Sequence, residues 1–228
     1  MAIITEQPRL PVENTGEQHL ACAVLIDTSG SMTGCESQIE EAIRAMKEAI
    51  EGDDNARGRV EISLIAFDDE VRELASFGPI AKLEVPRIKC GGMTCTHAAV
   101  EFALHRVEER KEDYKKNRVT YNQPWIWLLT DGGSNDPDNG AYQKLLEAQK
   151  NKKCVFFGVA VGNQVDESEL GGMHQNGMIF RVGKDNLADA FEYLSQSVAS
   201  ASQTVPGATL KLAASHKGMK ADFIEIPS

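Results

Sequence analysis

The chain has 228 residues, of which 42% are hydrophobic and 25% charged, and its formal net charge is −10 at pH 7. This length and composition are typical of a globular protein with one large domain or one domain with extensions. The acidic balance argues against general nucleic-acid binding, because such a chain repels phosphate backbones. The sequence contains no apolar stretch near the roughly 18 residues that a membrane-spanning helix needs. We therefore expect neither nucleic acid nor a membrane as a partner.

The cysteines and the N-terminus indicate the compartment. The five cysteines make an odd number and form no CxxC pair, so a disulfide framework is not expected. The first 18 residues contain acids and no long apolar core, which differs from a signal peptide. We expect a cytoplasmic protein. The cysteines are Cys22, Cys35, Cys90, Cys95 and Cys154.

Short apolar runs alternate with segments of helical periodicity. We predict strands at 20–26, 60–67, 71–76, 125–130, 154–161 and 178–182. We predict helices at 37–51, 96–116, 141–150, 166–170 and 186–202. The short turn at 68–70 makes the second and third strands an antiparallel hairpin.

The alternation of strands and helices predicts an α/β fold with a mostly parallel sheet covered by helices on both faces. We divide the chain into an N-terminal extension at 1–17, a domain at 18–202 and a C-terminal tail at 203–228. The tail shows weak periodicity, and its segment 223–226 could add an edge strand or bind elsewhere.

Oxygen-bearing side chains follow two of the predicted strands. Asp27 ends the first strand, and Ser29 and Ser31 lie two residues apart on the loop that follows. Asp131 ends the strand 125–130 in the same way. Thr94 lies on a loop with two glycines, which let backbone approach a site closely. Ligands of such sheets bind beyond the carboxyl ends of the strands, so these side chains are candidates for one site.

Two carboxylates and three hydroxyls make an all-oxygen ligand set. Such a set suits Mg²⁺, with Mn²⁺ or Ca²⁺ as alternatives, and does not suit zinc or copper. The neutral hydroxyls leave the cation charge partly unquenched. The cation would then remain a partner for a carboxylate from another molecule.

Three segments resemble the von Willebrand factor type A domain: DTSGS at 27–31, GGMT at 91–94 and LLTDG at 128–132. The resemblance covers about residues 18–202. It implies a Rossmann-like three-layer fold, with a six-stranded sheet that has one antiparallel edge strand. It also implies a metal-ion-dependent adhesion site that binds Mg²⁺ and a protein partner, whose Asp or Glu completes the coordination.

The resemblance also assigns roles to the site residues. Ser29, Ser31 and Thr94 would contact the metal directly or through water, while Asp27 and Asp131 would hold it, often through water. Thr96 lies two residues after Thr94 and could serve in its place.

A narrower likeness involves small bacterial cytoplasmic members associated with tellurium resistance and stress response. It depends on Leu10-Pro11-Val12 and on DTSGSM at 27–32. The segment ENTGEQH separates the first of these motifs from the first strand.

Two other functions stay open. The first is a scaffold domain, in which the metal would only tie loops together. The second is a phosphohydrolase. It would use Asp27 as its nucleophile, but Ser29 stands where such an enzyme has a second acid, and GxxxxGK and GxSxG motifs are missing. We therefore expect a protein that is not an enzyme.

Other polar residues near these segments have simpler interpretations. The acids at 68–70 suit a hairpin turn, and Asp136 and Asp138 suit a loop that caps the following helix. We expect Cys35, Cys95 and His97 to be rim residues of the site.

Overall fold

The computed structural model describes residues 2–162, 165, 167–173, 179–204, 209–212, 215–216, 219–220 and 225–227. The strands are β1 (Ile3–Thr5), β2 (Leu20–Asp27), β3 (Val60–Phe67), β4 (Glu70–Pro79), β5 (Trp125–Thr130), β6 (Val155–Val161), β7 (Ile179–Val182), β8 (Thr209–Lys211), β9 (Ser215–His216), β10 (Met219–Lys220) and β11 (Glu225–Pro227). The helices are α1 (Glu36–Gly52), α2 (Thr96–Lys116), α3 (Ala141–Lys150), α4 (Glu167–Gly172) and α5 (Leu187–Ser202).

One sheet runs through the molecule in the order β1-β4-β3-β2-β5-β6-β7-β10-β9. The five strands β3, β2, β5, β6 and β7 are parallel, and β4 is antiparallel to β3. From β2 the chain builds first toward β3 and later toward β5, so the strand order reverses beside β2. In sheets of this kind, ligands bind beyond the carboxyl ends of the strands at such a reversal, here those of β2 and β5.

Two apolar layers cover the sheet, because alternate residues of each strand point to opposite faces. On one face, α1 and α5 pack over Val24, Trp127 and Phe157. On the other face, α2 and α3 pack over Leu25 and Ile126. Every residue of β2 is buried, as expected for a central strand covered on both sides. The predicted fold class, a Rossmann-like α/β sandwich with helices on both faces, is confirmed.

The sheet extends beyond the six predicted strands at both ends. The strand β1 pairs parallel with β4, so the antiparallel strand β4 has a further neighbour outside it. At the other end, β10 pairs antiparallel with β7 and β9 pairs with β10. Of the tail segment 223–226, residues 223 and 224 lie outside the described residues, and β11 pairs with β8 in a separate two-stranded sheet.

Buried ion pairs fasten α2 to the sheet. Arg110 donates from Nε to Glu61 over 2.6 Å, and Arg106 donates from Nε to Glu73 over 3.0 Å. The same two arginines also donate to backbone carbonyls of the N-terminal segment, at Leu10 over 2.7 Å and at Gln7 over 3.4 Å. Residues 7–10 are therefore tied to both α2 and the sheet.

Among the residues that the structure describes, none of the helices combines the length and the apolar character that crossing a bilayer requires.

Candidate functional site

The two predicted carboxylates lie at the carboxyl ends of neighbouring strands. Asp27 is the last residue of β2, and Asp131 directly follows β5. These strands pair in parallel, with Ile26 opposite Leu129. The fold therefore brings together two acids that are more than one hundred residues apart in the chain.

Asp27 is fully buried, and both of its carboxylate oxygens accept hydrogen bonds. The Ser29 amide donates to Oδ1 over 2.8 Å, and the Thr130 hydroxyl donates to Oδ2 over 2.6 Å. Burial raises the pKa of Asp27, the two hydrogen-bonded partners offset this in part, and the nearby charge of Asp131 raises it further. A nearby cation would stabilise the ionised form of this carboxylate.

The two serine hydroxyls lie together, and one of them contacts Asp131. The Oγ atoms of Ser29 and Ser31 are 3.0 Å apart, and the Ser31 hydroxyl donates to Asp131 Oδ1 over 2.5 Å. Ser29 is buried and Ser31 is exposed, so the cluster reaches from the interior to the surface. Four of the five predicted site residues, counting Asp27, thus form one connected group.

The loop at 91–94 lies against the first loop through backbone hydrogen bonds. The Gly30 amide donates to the Gly92 carbonyl over 3.0 Å, and the Gly91 amide donates to the Thr28 carbonyl over 2.8 Å. Gly92 has a φ of +76°, and a Cβ at this position would collide with the carboxylate of Asp69. Glycine at 92 is therefore required by both its backbone conformation and its surroundings.

Thr94 lies between the loop at 91–93 and the loop that follows Asp131. Its amide donates to Asn135 Oδ1 over 3.1 Å, and its carbonyl accepts from the Asn135 amide over 2.7 Å. Thr96 is the first residue of α2, and its buried hydroxyl has no hydrogen-bond partner. Both threonines therefore remain candidates for the site.

Two acids that the sequence assigned to a hairpin turn also hold the site loops. Asp69 Oδ1 accepts the Met93 amide over 2.9 Å, and Asp68 Oδ2 accepts the Thr28 hydroxyl over 3.0 Å. Arg72 donates to Asp68 over 2.8 Å. No local pattern marks these roles, because the contacts join segments far apart in the chain.

Lys184 is a site residue that the sequence reasoning missed. It lies on the short 3-10 helix Lys184–Asn186 between β7 and α5, and its Nζ donates to Asp131 Oδ2 over 2.6 Å. The same Nζ donates to the Ser31 carbonyl over 2.5 Å. The hydrogen bond to Asp131 raises the pKa of Lys184. Lys184 can be assigned to the site only once the strand order is known, because that order brings the end of β7 near the end of β5.

Asp136 corrects one sequence expectation. It caps the preceding helix α2 instead of the following one, accepting the His97 amide over 3.2 Å and the Ala98 amide over 2.9 Å. The start of α3 is served by Asn139, which accepts the Ala141 amide over 3.2 Å.

The rim residues behave as structural side chains. His97 stacks on Tyr142 with ring centroids 4.2 Å apart and lies 3.0 Å from Asp136. Burial raises the pKa of Cys95 to about 12 and also raises that of Cys35. Both cysteines are therefore thiols at neutral pH.

The donor set fits a hard cation. Among the described residues, no cluster of three or more His, Cys, Asp or Glu side chains of the metal-binding kind is found. The candidate site instead combines two carboxylates with hydroxyls, which are oxygen ligands of the kind that Mg²⁺, Mn²⁺ and Ca²⁺ prefer.

The comparisons with known proteins agree with this architecture. The sequence model of the von Willebrand factor type A domain matches residues 22–196. The comparison with curated proteins found no match.

Solved structures share the fold at low sequence identity. A von Willebrand factor type A protein from Catenulispora acidiphila matches with a TM-score of 0.59 and 16% identity, over 81% of this chain and 43% of that one. The vWF domain of the type V pili tip protein Mfa5 from Porphyromonas gingivalis matches with a TM-score of 0.57 and 13% identity, over 83% of this chain and 98% of that one.

A mussel byssus protein extends the comparison. Proximal thread matrix protein 1, with a zinc-occupied MIDAS motif, matches with a TM-score of 0.55 and 17% identity, over 80% of this chain and 46% of that one. Another crystal form of the same protein is covered to 48%, so this chain spans about half its length. These likenesses establish the fold.

Proposed function

This chain belongs to the von Willebrand factor type A domain family, and on that premise we propose that it is a metal-dependent protein-binding module. Its divalent cation would be held by Asp27, Ser29, Ser31, Thr94 and Asp131. An Asp or Glu side chain of a partner protein would complete the coordination. The observation that carries the proposal is the position of Ser31 Oγ, which lies 3.0 Å from Ser29 Oγ and 2.5 Å from Asp131 Oδ1.

Mg²⁺ is the proposed physiological cation, with Mn²⁺ or Ca²⁺ as alternatives. The all-oxygen donor set supports a hard ion. The zinc in the mussel structure makes Zn²⁺ a necessary comparison in any binding experiment.

A partner would contact more than the cation. One metal–carboxylate contact is expected to supply a few kcal/mol at most after desolvation. A groove of about 660 Å³ lies beside Thr94, and its lining includes Met93, Phe102 and Pro137. Two exposed large apolar residues line it, Met93 at 58% and Ile4 at 46%, and contiguous exposed apolar surface marks interaction sites. This groove supports a docking surface that includes residues 93–95 and 135–139.

The geometry argues against a phosphohydrolase. Asp27 is fully buried and both of its oxygens are engaged, so it is poorly placed to attack a phosphorus atom. We propose that the chain acts by binding and not by catalysis. Hydrolysis of a generic phosphate ester with Mg²⁺, lost in Asp27→Asn, would favour the enzyme instead.

A cytoplasmic location and a role in tellurium resistance or stress response remain predictions. All five cysteines are free, which is consistent with a reducing compartment. The narrower family likeness depends on Leu10-Pro11-Val12 and the DTSGSM segment alone.

Calorimetric titration with Mg²⁺ tests the proposed metal site. Ser29→Ala should bind Mg²⁺ roughly tenfold more weakly, because it removes one ligand oxygen. Ser37→Ala is the matched control, because Ser37 is an exposed serine on α1 away from the cluster. Equal affinity in wild type and Ser29→Ala would contradict the assignment.

Pull-downs then separate a binding role from a scaffold role. A protein retained with Mg²⁺ should be lost with EDTA and with Ser29→Ala. If chelation lowers thermal stability but leaves the same partners bound, the metal only ties the loops together and the scaffold function is correct.

A further inference from the structure

Lys184 places a permanent cation inside the candidate metal site. Its ammonium contacts Asp131 Oδ2 at 2.6 Å and the Ser31 carbonyl at 2.5 Å. Both contacts are with residues proposed to hold the metal. Within the part of the chain that the structure describes, these contacts use two of the three ammonium donors, and the side chain is 39% exposed. The third donor is therefore accessible to a ligand that approaches from solvent.

The Lys184 side chain packs against a glycine at the end of β6. Gly162, directly after β6, has a φ of +89°, and a Cβ there would lie 3.5 Å from Lys184 Cε. The lysine stem thus runs over a residue without a side chain, and the Gly162 amide is held by the Val182 carbonyl at 2.7 Å. Two strand ends, those of β6 and β7, therefore position the ammonium against Asp131.

The formal charges predict two effects of opposite sign. Asp27 and Asp131 contribute two negative charges, and Lys184 reduces this to a net single negative charge. A divalent cation would then bring the group to a net single positive charge, whereas without the lysine it would be neutral. At these distances a half-buried charge contributes appreciably to both affinities.

We propose that Lys184 is a second recognition group of this site, which weakens binding of the divalent cation and strengthens binding of a carboxylate to the loaded site. The inference rests on the proposed function, because it assumes that the cluster binds a divalent cation. It adds a residue that selects acidic ligands in the metal-loaded state. The carboxylate would bridge the metal and the free ammonium donor.

The test uses charge-removing and charge-keeping variants of the whole chain. Lys184→Met removes the charge and keeps most of the stem, while Lys184→Arg keeps the charge. Lys89→Met is the matched control, because it removes an exposed lysine two residues before Gly91. Thermal denaturation in EDTA checks that each variant is folded, and Lys184→Gln replaces the methionine variant if that one does not fold.

The first measurement is calorimetric titration with Mn²⁺. Lys184→Met should bind Mn²⁺ about tenfold more tightly than wild type, while Lys184→Arg and Lys89→Met should stay near the wild-type value. An unchanged or weaker Mn²⁺ affinity in Lys184→Met overturns the inference.

The second measurement follows a carboxylate directly. Acetate replaces chloride at constant ionic strength while water-proton relaxation of the Mn²⁺-loaded protein is recorded, because a bound acetate displaces metal-bound water. Lys184→Met should bind acetate about three- to tenfold more weakly than wild type. Equal acetate affinity overturns the inference.

The two proposals can fail separately. If wild type binds Mn²⁺ and Lys184→Met binds it equally well, the proposed function stands and the role of Lys184 is wrong. If wild type does not bind Mn²⁺ but Lys184→Met does, the proposed function is wrong for the natural chain, and the proposed carboxylate recognition by Lys184 fails with it. If neither binds, both are wrong.

Discussion

Thr94 and Thr96 differ in their surroundings. Thr94 lies in a loop that is bonded to Asn135 through its backbone, while the Thr96 hydroxyl is buried at the start of α2 without a partner. A buried hydroxyl without a partner costs roughly 1–3 kcal/mol. A metal ion bound at the Thr96 hydroxyl, or an ordered water that accepts or donates a hydrogen bond there, would remove this cost.

Valine substitutions distinguish the two threonines, because valine keeps the shape and removes the oxygen. If Thr94 is the ligand, Thr94→Val should weaken Mg²⁺ binding roughly tenfold, and Thr96→Val should leave it unchanged. Thr96→Val should then also raise the thermal midpoint in EDTA. Calorimetry and thermal denaturation measure both effects, and weaker Mg²⁺ binding in Thr96→Val alone would assign the site to Thr96 instead.

Spacing in the sequence was informative for some site residues and silent for others. Asp27, Ser29 and Ser31 are close in the chain, so their convergence follows from one strand end and one loop. Lys184 and Asp69 enter from distant segments, and nothing near them in the sequence marks their contacts. Only the tertiary structure places the Lys184 side chain over Gly162 and the Asp69 carboxylate beside Gly92.

Helix α2 depends on a cap that comes from outside its own segment. Cys95 precedes the helix and makes no side-chain cap hydrogen bond, while Asp136 accepts the amides of His97 and Ala98. Acidic groups at a helix N-terminus are stabilising through the unpaired amides and the helix dipole. The loop at 134–139 and the start of α2 are thereby fixed to each other.

Removing this cap should destabilise the protein. Asp136→Ala should lower the free energy of unfolding by about 1–2 kcal/mol, because two amides lose their acceptor. Asp138→Ala is the control, since Asp138 accepts from the Gly140 amide within its own loop and its side chain is 65% exposed. Urea denaturation measures both variants, and an equal loss in the two would show that Asp136 is no more than a loop residue.

Among the helices and strands, sequence periodicity predicted those whose apolar residues are buried in the core. The stripe of α5 and the apolar runs of β2 and β5 are set by the two-sided core, so their type and approximate bounds followed from the sequence. The strand β1 joins the sheet through backbone pairing with β4, and its two isoleucines are exposed. Three residues are too short to show the alternation that predicts a strand. The short strands β9 and β10 escaped prediction for a similar reason, since two residues carry no periodicity.

Across the whole molecule, a buried carboxylate joins α2 to the sheet. Glu61 on β3 accepts hydrogen bonds from Arg110 over 2.6 Å and from the Tyr114 hydroxyl over 2.5 Å, and His19 Nδ1 lies 3.0 Å away. Burial opposes ionisation of Glu61, but these partners outweigh it and lower its pKa from 4.5 to about 2. The ionised carboxylate is thus the form that the folded chain stabilises.

The lowered pKa gives Glu61 a defined effect on acid stability. The stabilisation is fully present above about pH 4.5, where the unfolded chain is ionised too, and is lost as pH falls toward about 2. At pH 7, Glu61→Gln should lower the free energy of unfolding by about 3–5 kcal/mol, because Arg110 loses its buried counter-charge. The difference between wild type and variant should shrink as pH falls from about 4.5 to about 2.

Denaturant unfolding at a series of pH values measures this dependence. Glu112→Gln is the control, because Glu112 is an exposed acid on α2, the helix that carries Arg110. A wild-type advantage over Glu61→Gln that stays constant from pH 7 to pH 2.5 would contradict the assigned pKa shift.

The segment before β2 provides hydrogen-bond partners for groups of the sheet and of α2. It covers the outer backbone groups of β4 with β1, and its carbonyls at Gln7 and Leu10 accept from two buried guanidinium groups. A chain without residues 1–17 would expose that row of backbone amides and carbonyls on β4 and would leave donors of Arg106 and Arg110 without their acceptors. Exposed edge strands pair with strands of other molecules, so the shortened protein would tend to aggregate. The N-terminal residues therefore protect the protein from self-association through the edge of β4.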